Sequence, residues 1–398
     1  MINSDLAKGD MEAYLHAARL ILAGQDIYAT PSRPLDMGGL YYIYPPALAV
    51  LFIPFTLVPV KVAIVAWTII NVALLGWVIK ALHEAMTGIP WSELPSSDRW
   101  IIIFFSLLPP SRFVLHHLFY GQSNILIMAL AVLGLTQVRR NSFSGGIACG
   151  LSIAIKTLTF PFGFWLVLRK NLRAVAGVMA GIAAGLLLPA LVLGFSRNWN
   201  YLVFWFKDIV LYPDLTRAKV PLSVNVSVQA QLYRFFGNGI AYTYKGEPRF
   251  LTLFHVPEDA LRIAEQALVL AMLLTIAAYW YRFRNSGELV SNWGGVALTF
   301  SLLAVFTPFA QKHYLVFLLP AFVYIVHVWR GLQLRDRWFR GVVIASFILL
   351  VFTNEEFCGE LLGGIFTGAG CMAWGTLLAS GAIFRAGDCL SEPGKLPS

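Results

Sequence analysis

Charged residues are scarce in this chain. Asp, Glu, Lys and Arg make up 13% of the 398 residues, whereas hydrophobic residues make up 58% and aromatic residues 14%. A soluble domain of this length is about 25% charged, so this surface cannot face water on all sides. The composition therefore excludes an ordinary soluble protein and indicates that lipid is the solvent for most of the chain.

The apolar runs lack the ten-residue alternation that is typical of transmembrane β-barrels. In hydrocarbon every backbone N–H and C=O must be paired within the protein, which leaves a helical bundle or a closed barrel. Runs such as 62–82 and 174–195 are long and unbroken, so they predict helices. We expect an all-α, polytopic helical membrane protein with about 10–11 membrane segments.

Cysteine is also scarce, and no metal-binding pattern is present. The four cysteines are scattered without CxxC spacing, and Cys358 is expected in a loop, so a disulfide framework is not predicted. His116 and His117 are adjacent, which directs them to different helix faces, and no third ligand is close. The N-terminus lacks the apolar stretch of a secretory signal peptide.

The net charge of +9 does not indicate a nucleic-acid-binding protein. Lys and Arg occur in short clusters between apolar runs, which mark cytoplasmic ends of membrane segments, and no aromatic-lined basic groove is present. We take Arg139-Arg140 as cytoplasmic and 41–60, which contains four prolines, as a re-entrant or interfacial element. The remaining predicted segments are 62–82, 100–111, 122–138, 145–156, 158–168, 174–195, 260–281, 292–309, 313–329, 340–353 and 361–384.

The protein is expected in the plasma membrane, and this topology divides the chain into five predicted parts. They are an outer segment 1–40, an N-terminal membrane module 41–195, an outer loop 196–258, a C-terminal membrane module 259–386 and a cytoplasmic tail 387–398.

Polar side chains collect at segment ends on the predicted outer side. A polar residue at membrane depth costs free energy and usually faces a cavity or a partner, so a functional role is predicted. The candidate site residues are Asp10, Tyr14, Tyr44, Gln122, Asn124, Lys156, Asn225, Ser227, Lys312 and His313.

Structural interpretations of these residues stay open. Asp10 begins a helical pattern, where the helix dipole stabilises a carboxylate. Lys156 interrupts an apolar run and either extends to the interface or binds an anionic headgroup such as a phosphate. His313 fits an interfacial loop as well as a phosphate ligand or proton carrier. Gln122 and Asn124 are also typical hydrogen-bonding residues of helix ends.

Six motifs occur in an order that resembles a known family. They are GDMEAYLHAARLILAGQDIYA, YIYPPALAVLFIPF, YGQSNILIMAL, AIKTLTFPFGFWLVLRKNLRA, NVSVQ and TPFAQKHYLVFLLPA, within residues 9–324. Together they resemble glycosyltransferase family 87, the polyprenol-phosphate-mannose-dependent α-mannosyltransferases of the GT-C superfold. The resemblance implies a GT-C-like bundle that transfers a hexose, expected to be mannose, from a polyprenyl-phosphate donor to a glycan or glycolipid hydroxyl at the outer face.

The resemblance also implies roles for individual residues. Asp10 matches the catalytic base, and Tyr14 belongs to its motif. Lys156 and His313 match basic positions near the lipid phosphate. Asn225 and Ser227 match an Asn-x-Ser element of the outer loop.

The chain departs from the family pattern at three places. In the family a transmembrane helix precedes the acidic motif, whereas only nine residues precede Asp10 here. We therefore expect either a start codon assigned too far downstream or a protein without that crossing. Gln311, Lys312 and His313 stand where the family usually has Trp and two His, and NVSVQ replaces the usual NQS. These substitutions leave the acceptor and the exact sugar open.

The predicted chemistry needs few groups. A polyprenyl-phosphate sugar carries its own leaving group, so a base near the acceptor hydroxyl and positive charge near the phosphate suffice. One carboxylate rather than a close pair predicts direct displacement with inversion. No acidic pair for a divalent metal is evident near Asp10, so we expect neither a metal nor another cofactor.

The sequence is also compatible with two alternative functions. Broken apolar segments and an intramembrane lysine also mark substrate pathways, as in a lipid-linked sugar transporter or flippase. An inactive membrane scaffold is the other alternative. The collection of the polar groups on one predicted side, rather than at the middle of the membrane, favours the enzyme.

Overall fold

The structure, a computed structural model, describes residues 9–32, 40–211, 222–331 and 336–391. Nearly all regular structure in these ranges is helical, which confirms the predicted all-α class. The strands in the described part of the chain, Tyr242–Tyr244 and Glu247–Arg249, form an antiparallel hairpin. Its turn residues Lys245 and Gly246 both have positive φ, as a tight two-residue hairpin turn requires. The predicted outer segment and tail fall partly outside the described residues.

The helices are numbered in chain order. They are α1 Asp10–Leu22, α2 Pro46–Leu51, α3 Val60–Thr87, α4 Ser96–Leu107, α5 Ser111–Tyr120, α6 Asn124–Gln137, α7 Ser142–Ile155, α8 Phe160–Leu168, α9 Leu172–Leu187, α10 Ala190–Leu193, α11 Phe195–Phe204, α12 Val228–Phe236, α13 Glu258–Phe283, α14 Gly295–Phe306, α15 Leu318–Val326, α16 Arg337–Val351, α17 Glu355–Gly368 and α18 Cys371–Ser391. Tighter 3₁₀ turns cover Ile53–Leu57, Trp91–Glu93, Thr157–Thr159 and Lys312–Phe317, and π-helical turns cover Trp205–Val210, Leu289–Gly294 and His327–Gly331.

The membrane segments follow from helix length and hydropathy. Within the described residues, five helical stretches are long and apolar enough to cross a membrane, or seven if each of two sharply bent pairs is one span. The five stretches are Val60–Thr87, Leu172–Leu193, Glu258–Phe283, Leu289–Phe306 and Lys312–Arg330. Shorter apolar helices include α6 and α7. The protein is therefore a multi-pass helical membrane protein, and the number of complete crossings stays a prediction.

Two predicted segments differ from the structure because of local breaks. The stretch after 100–111 forms a separate helix, α5, bent by 74° from α4 at Pro109-Pro110. The predicted segment 361–384 is two helices, α17 and α18, with Gly370 at φ +79° between them. Cys358 consequently lies in α17 rather than in a loop. The prolines and the glycine were visible in the sequence, but hydropathy averages over them.

The described residues form two compact units. One takes residues up to Val78 and from Leu115 to 211, and the other takes Ile79–Val114 and residues from 222 onward. The core of the first unit is aromatic and surrounds α1. Tyr14 packs edge-to-face on Phe52, and Phe52 packs on Trp67, with ring centroids 5.0 and 4.8 Å apart.

Glycines allow α7 and α9 to approach closely within the first unit. Gly146 faces Gly177, and Gly150 faces Gly181. A Cβ atom on Gly150 would lie 2.9 Å from the Cα of Gly181, closer than side chains tolerate. Small residues at four-residue spacing are typical of close helix pairs in membranes, where lipid gives no hydrophobic drive for association. The contact between α7 and α9 fixes the position of Lys156, the residue after α7.

The core of the second unit is formed by two helices that are apolar on all sides. All residues in 290–305 and in 315–325 are buried, as expected for helices surrounded by protein rather than lipid. α18 packs against α14 and α16, and the hydroxyls of Ser301 and Ser380 hydrogen-bond at 2.7 Å across that contact. The segment that carries Lys312 and His313 connects these two helices, α14 and α15.

The glycine contact predicts a sharp difference between two substitutions. Gly150→Leu should lower the stability of the purified protein by about 1–3 kcal/mol, because α7 and α9 must separate to admit the side chain. Gly76→Leu is the matched control, since Gly76 is exposed on α3 and has open space around its Cα. Thermal unfolding in one detergent measures both. Equal melting temperatures would contradict the close-packed arrangement.

Candidate functional site

The first helix places the carboxylate of Asp10 against a loop from a distant part of the chain. Asp10 is the first residue of α1, and its carboxylate accepts a hydrogen bond from the Nε2 amide of Gln122. Two glycines permit this approach. A Cβ on Gly9 would lie 3.0 Å from the Cα of Tyr120, and Gly121 adopts φ +61° beside the side chain of Met11.

Gln122 connects Asp10 to Tyr14. The Tyr14 hydroxyl donates to Gln122 Oε1 at 3.5 Å and lies 3.4 Å from Ser123 Oγ. One amide therefore donates to the carboxylate and accepts from the phenol, which fixes its orientation. Both Gln122 and Tyr14 are fully buried. The Tyr14 ring also meets the Tyr44 ring edge-on, with centroids 5.5 Å apart.

Lys156 lies at the break between α7 and the following 3₁₀ turn. The backbone is extended there, and the side chain is buried, with 7% of the residue exposed. The ammonium donates to Asn124 Oδ1 at 2.8 Å and lies 5.1 Å from the centroid of the Tyr44 ring, a cation–π distance. The carboxylate of Asp10 attracts the same ammonium. The ammonium of Lys156 is therefore held inside the protein, and its phosphate-binding role stays a prediction.

The first unit thus brings six of the ten predicted site residues together. They form one polar cluster, the Asp10–Lys156 cluster, made of Asp10, Tyr14, Tyr44, Gln122, Asn124 and Lys156. It contains an oriented carboxylate and a buried cation within an aromatic surrounding. Such an arrangement can accept a proton at one end and bind an anion at the other.

The other four predicted residues belong to the second unit, where Asn225 and Ser227 bind main chain. Asn225 donates from Nδ2 to the carbonyl of Pro308 at 2.8 Å and accepts at Oδ1 from the amides of Ser227 and Ala310, both at 3.0 Å. The Ser227 hydroxyl caps α12 by accepting the Ala230 amide and donates to the carbonyl of Pro308. Both side chains therefore fix the segment that precedes Lys312. Their direct contact with a substrate stays a prediction.

Lys312 and His313 begin the 3₁₀ turn Lys312–Phe317 after an extended Gln311. His313 is buried, with its ring 5.0 Å from the ring of Tyr314, whereas Lys312 is only partly buried. Their phosphate-binding role stays a prediction.

Arg234 is a buried cation that the sequence did not single out. Its guanidinium hydrogen-bonds the carbonyl oxygens of Leu222, Ser223, Asn225, Ile240 and Thr367. Burial lowers the pKa of the Arg234 guanidinium to about 10, so the side chain stays charged at neutral pH. Arg234 therefore holds the loop that carries Asn225. No sequence pattern indicates this role, because an arginine on a short amphipathic helix is usually exposed.

Among the described residues, no group of three or more His, Cys, Asp or Glu side chains is placed to hold a metal ion. The expectation that the protein needs no metal stays a prediction.

The bonds of Asn225 predict a structural effect of its removal. Asn225→Ala should lower the free energy of unfolding by about 1–3 kcal/mol, because the amide of the buried Ala310 loses its hydrogen-bond acceptor and the carbonyl of Pro308 loses one donor. Asn238→Ala, at an exposed position in the same region, should change it by less than about 0.5 kcal/mol. Thermal unfolding of the purified variants measures both. Similar melting temperatures for the two variants would show that Asn225 does not fix this segment.

The fold and the Asp10–Lys156 cluster define a class: a multi-pass helical membrane protein with a buried, polar candidate active site. The chain belongs to glycosyltransferase family 87, whose family model matches residues 42–308. The match includes Tyr44, Gln122, Asn124, Lys156, Asn225 and Ser227, whereas Asp10, Tyr14, Lys312 and His313 lie outside it.

Curated relatives come from mycobacteria. The chain is 29% identical over 205 residues to a polyprenol-phosphate-mannose-dependent alpha-(1-2)-phosphatidylinositol mannoside mannosyltransferase of Mycobacterium tuberculosis, covering 48% of this chain and 47% of that protein. It is 23% identical over 362 residues to the protein of the same name from Mycolicibacterium smegmatis, covering 86% and 75% of the two chains. The alignments thus span about half of the first relative and three quarters of the second. No solved structure matches the chain significantly.

Proposed function

We propose that this protein transfers a hexose, with mannose as the first candidate, from a polyprenyl-phosphate donor to a hydroxyl of a glycan or glycolipid acceptor. The reaction takes place at the outer face of the plasma membrane and inverts the anomeric centre. Family membership and the names of the relatives, which specify a polyprenol-phosphate-mannose donor and a phosphatidylinositol mannoside acceptor, support this proposal. The observation that carries it is the oriented Asp10 carboxylate in one cluster with the buried Lys156 ammonium.

Asp10 is the proposed base. The Gln122 amide hydrogen-bonds the Asp10 carboxylate and holds it in one orientation. As that hydroxyl oxygen bonds to the anomeric carbon, its proton passes to Asp10. The bond between the anomeric carbon and the phosphate oxygen breaks at the same time, and its electron pair leaves with the phosphate. This direct displacement needs no second carboxylate, which agrees with inversion of the anomeric centre.

Lys156 is the proposed partner of the leaving phosphate. Charge grows on the phosphate as the bond to the sugar breaks, and a preorganised cation in a water-poor surrounding stabilises that charge strongly. Asn124 and the Tyr44 ring hold the ammonium in place before the substrate arrives. Lys312 and His313 are proposed as phosphate ligands, and Tyr14 as a substrate-binding residue. The proposed reaction uses no cofactor.

Burial of Lys156 favours a functional role over a structural one. A lysine side chain is long enough to carry its charge to the interface, and doing so avoids the cost of desolvation. Here the ammonium stays inside the protein beside groups that suit a cation. A charge kept at this cost is expected where an anionic substrate binds.

The proposed mechanism predicts different transfer activities for variants of two neighbouring acidic residues, Asp10 and Glu12. Asp10→Asn should lower mannosyl transfer by ~10²-fold or more, because the amide cannot accept the proton. Glu12→Gln, on the same helical turn, should retain near-wild-type transfer. Membranes that contain either variant are assayed with labelled polyprenyl-phosphate mannose and a phosphatidylinositol mannoside acceptor. Wild-type turnover by Asp10→Asn would remove Asp10 from the mechanism, and movement of intact donor across the membrane without transfer would replace the enzyme by a transporter.

The proposed outer face predicts where introduced cysteines react. In a variant without the four native cysteines, Lys245→Cys in the hairpin turn should react with a membrane-impermeant maleimide in intact cells. Arg139→Cys, at the exposed end after α6, should react only after permeabilisation. The reverse pattern would place the loop that contains the hairpin in the cytoplasm and contradict the proposed orientation.

A further inference from the structure

We infer that His117 is a positioning residue of the Asp10–Lys156 cluster. Its neutral imidazole and its carbonyl together hold the loop that presents Gln122 to Asp10 and Asn124 to Lys156. This inference rests on the proposed function of that cluster. The hydrogen bonds of His117 go to the loop, so its effect on Asp10 and Lys156 passes through the loop.

His117 bonds both ends of the loop. It lies in the last turn of α5, and its carbonyl accepts the backbone amide of Gln122 at 3.1 Å. Its ring nitrogen Nε2 accepts the backbone amide of Ile125, also at 3.1 Å. Residues 122–125 are therefore held between two hydrogen bonds to one residue. Trp67 fixes the other side of the loop by donating from Nε1 to the carbonyl of Gly121 at 3.1 Å.

The ring of His117 replaces a helix cap. α6 begins after Ser123, and a serine in that position usually accepts the amide of the second or third helical residue. Here the Ser123 side chain makes no capping bond and lies 3.4 Å from the Tyr14 hydroxyl instead. The amide of Ile125, the second residue of α6, is satisfied by the histidine. Ser123 is thereby released to join the cluster.

The capping bond fixes the tautomer of His117. A nitrogen that accepts an amide hydrogen carries none itself, so a neutral ring must carry its hydrogen on Nδ1. A doubly protonated ring has no acceptor and breaks the bond to Ile125. The ring is fully buried, so a second proton would also place a charge in a surrounding that is poor in water.

The consequence for the site is specific. Gln122 orients the carboxylate of Asp10, and Asn124 binds the ammonium of Lys156. Both side chains leave the same short loop, so a shift of its end displaces the base and the cation together. A displacement of about 1 Å at a reacting group can cost ~10²-fold in rate.

Two substitutions separate positioning from simple packing. Glutamine carries a side-chain oxygen that reaches the place of Nε2, whereas asparagine is one carbon shorter and does not reach it. We expect His117→Asn to lower kcat of mannosyl transfer by ~10²-fold with a smaller change in KM. We expect His117→Gln to restore most of kcat. Thermal unfolding of both variants is measured in the same detergent.

The outcomes decide the inference. Rescue by glutamine but not by asparagine, at similar melting temperatures, supports it. Equal activity in both variants, whether high or low, overturns it. If either variant fails to fold, the wild-type protein gives the answer through its tautomer. In ¹⁵N-histidine-labelled protein, a hydrogen on Nδ1 and a bare Nε2 at His117 support the inference, and any other protonation pattern overturns it.

The spectroscopic measurement also separates this inference from the proposed function. The seven histidine signals are assigned by comparison with single His→Gln variants. The tautomer of His117 is observable whether or not the protein transfers a sugar. A wild-type protein with no transfer activity but with the expected tautomer would contradict the proposed function and leave the capping role intact.

Discussion

A buried ammonium group is the constraint on which the first unit depends. Lys156 is 7% exposed, and a buried cation persists only beside groups that compensate for the loss of its hydrating water. Asn124 supplies an oxygen, Tyr44 supplies the face of its ring, and Asp10 supplies the opposite charge. Because these residues come from separate segments, satisfying one charge requires α1, the Tyr44 segment and the start of α6 to occupy fixed positions.

Small residues make those positions possible. The glycines of α7 and α9 let the two helices touch through their backbones, which fixes the chain break at Lys156. Gly9 and Gly121 do the same where α1 meets the loop before α6. In lipid, such close backbone contact replaces the hydrophobic drive that holds soluble helices together. The glycine contacts therefore hold together the segments whose side chains form the polar cluster.

In the second unit, the polar side chains around the loop before α12 bind main-chain groups. Arg234 satisfies the carbonyls of the loop before α12, and Asn225 in that loop binds the segment 308–310. A guanidinium with several donors suits this task, because each buried carbonyl in an irregular segment needs a partner. The segment that leads to Lys312 and His313 is consequently held by Asn225, and Arg234 holds the loop that carries Asn225.

The class of the protein, the positions of most helices, the break at Lys156 and the polar residues of the Asp10–Lys156 cluster can all be predicted from the sequence. These features are local, since hydropathy and helix breakers act within a few residues of the chain. The packing of the folded chain makes Gln122 the partner of Asp10, 112 residues away, and Asn124 the partner of Lys156, 32 residues away. It also determines that Asn225 and Arg234 bind main chain. Hydrogen-bond partners depend on which helices approach each other, and that approach is set by packing over the whole unit rather than by any local pattern.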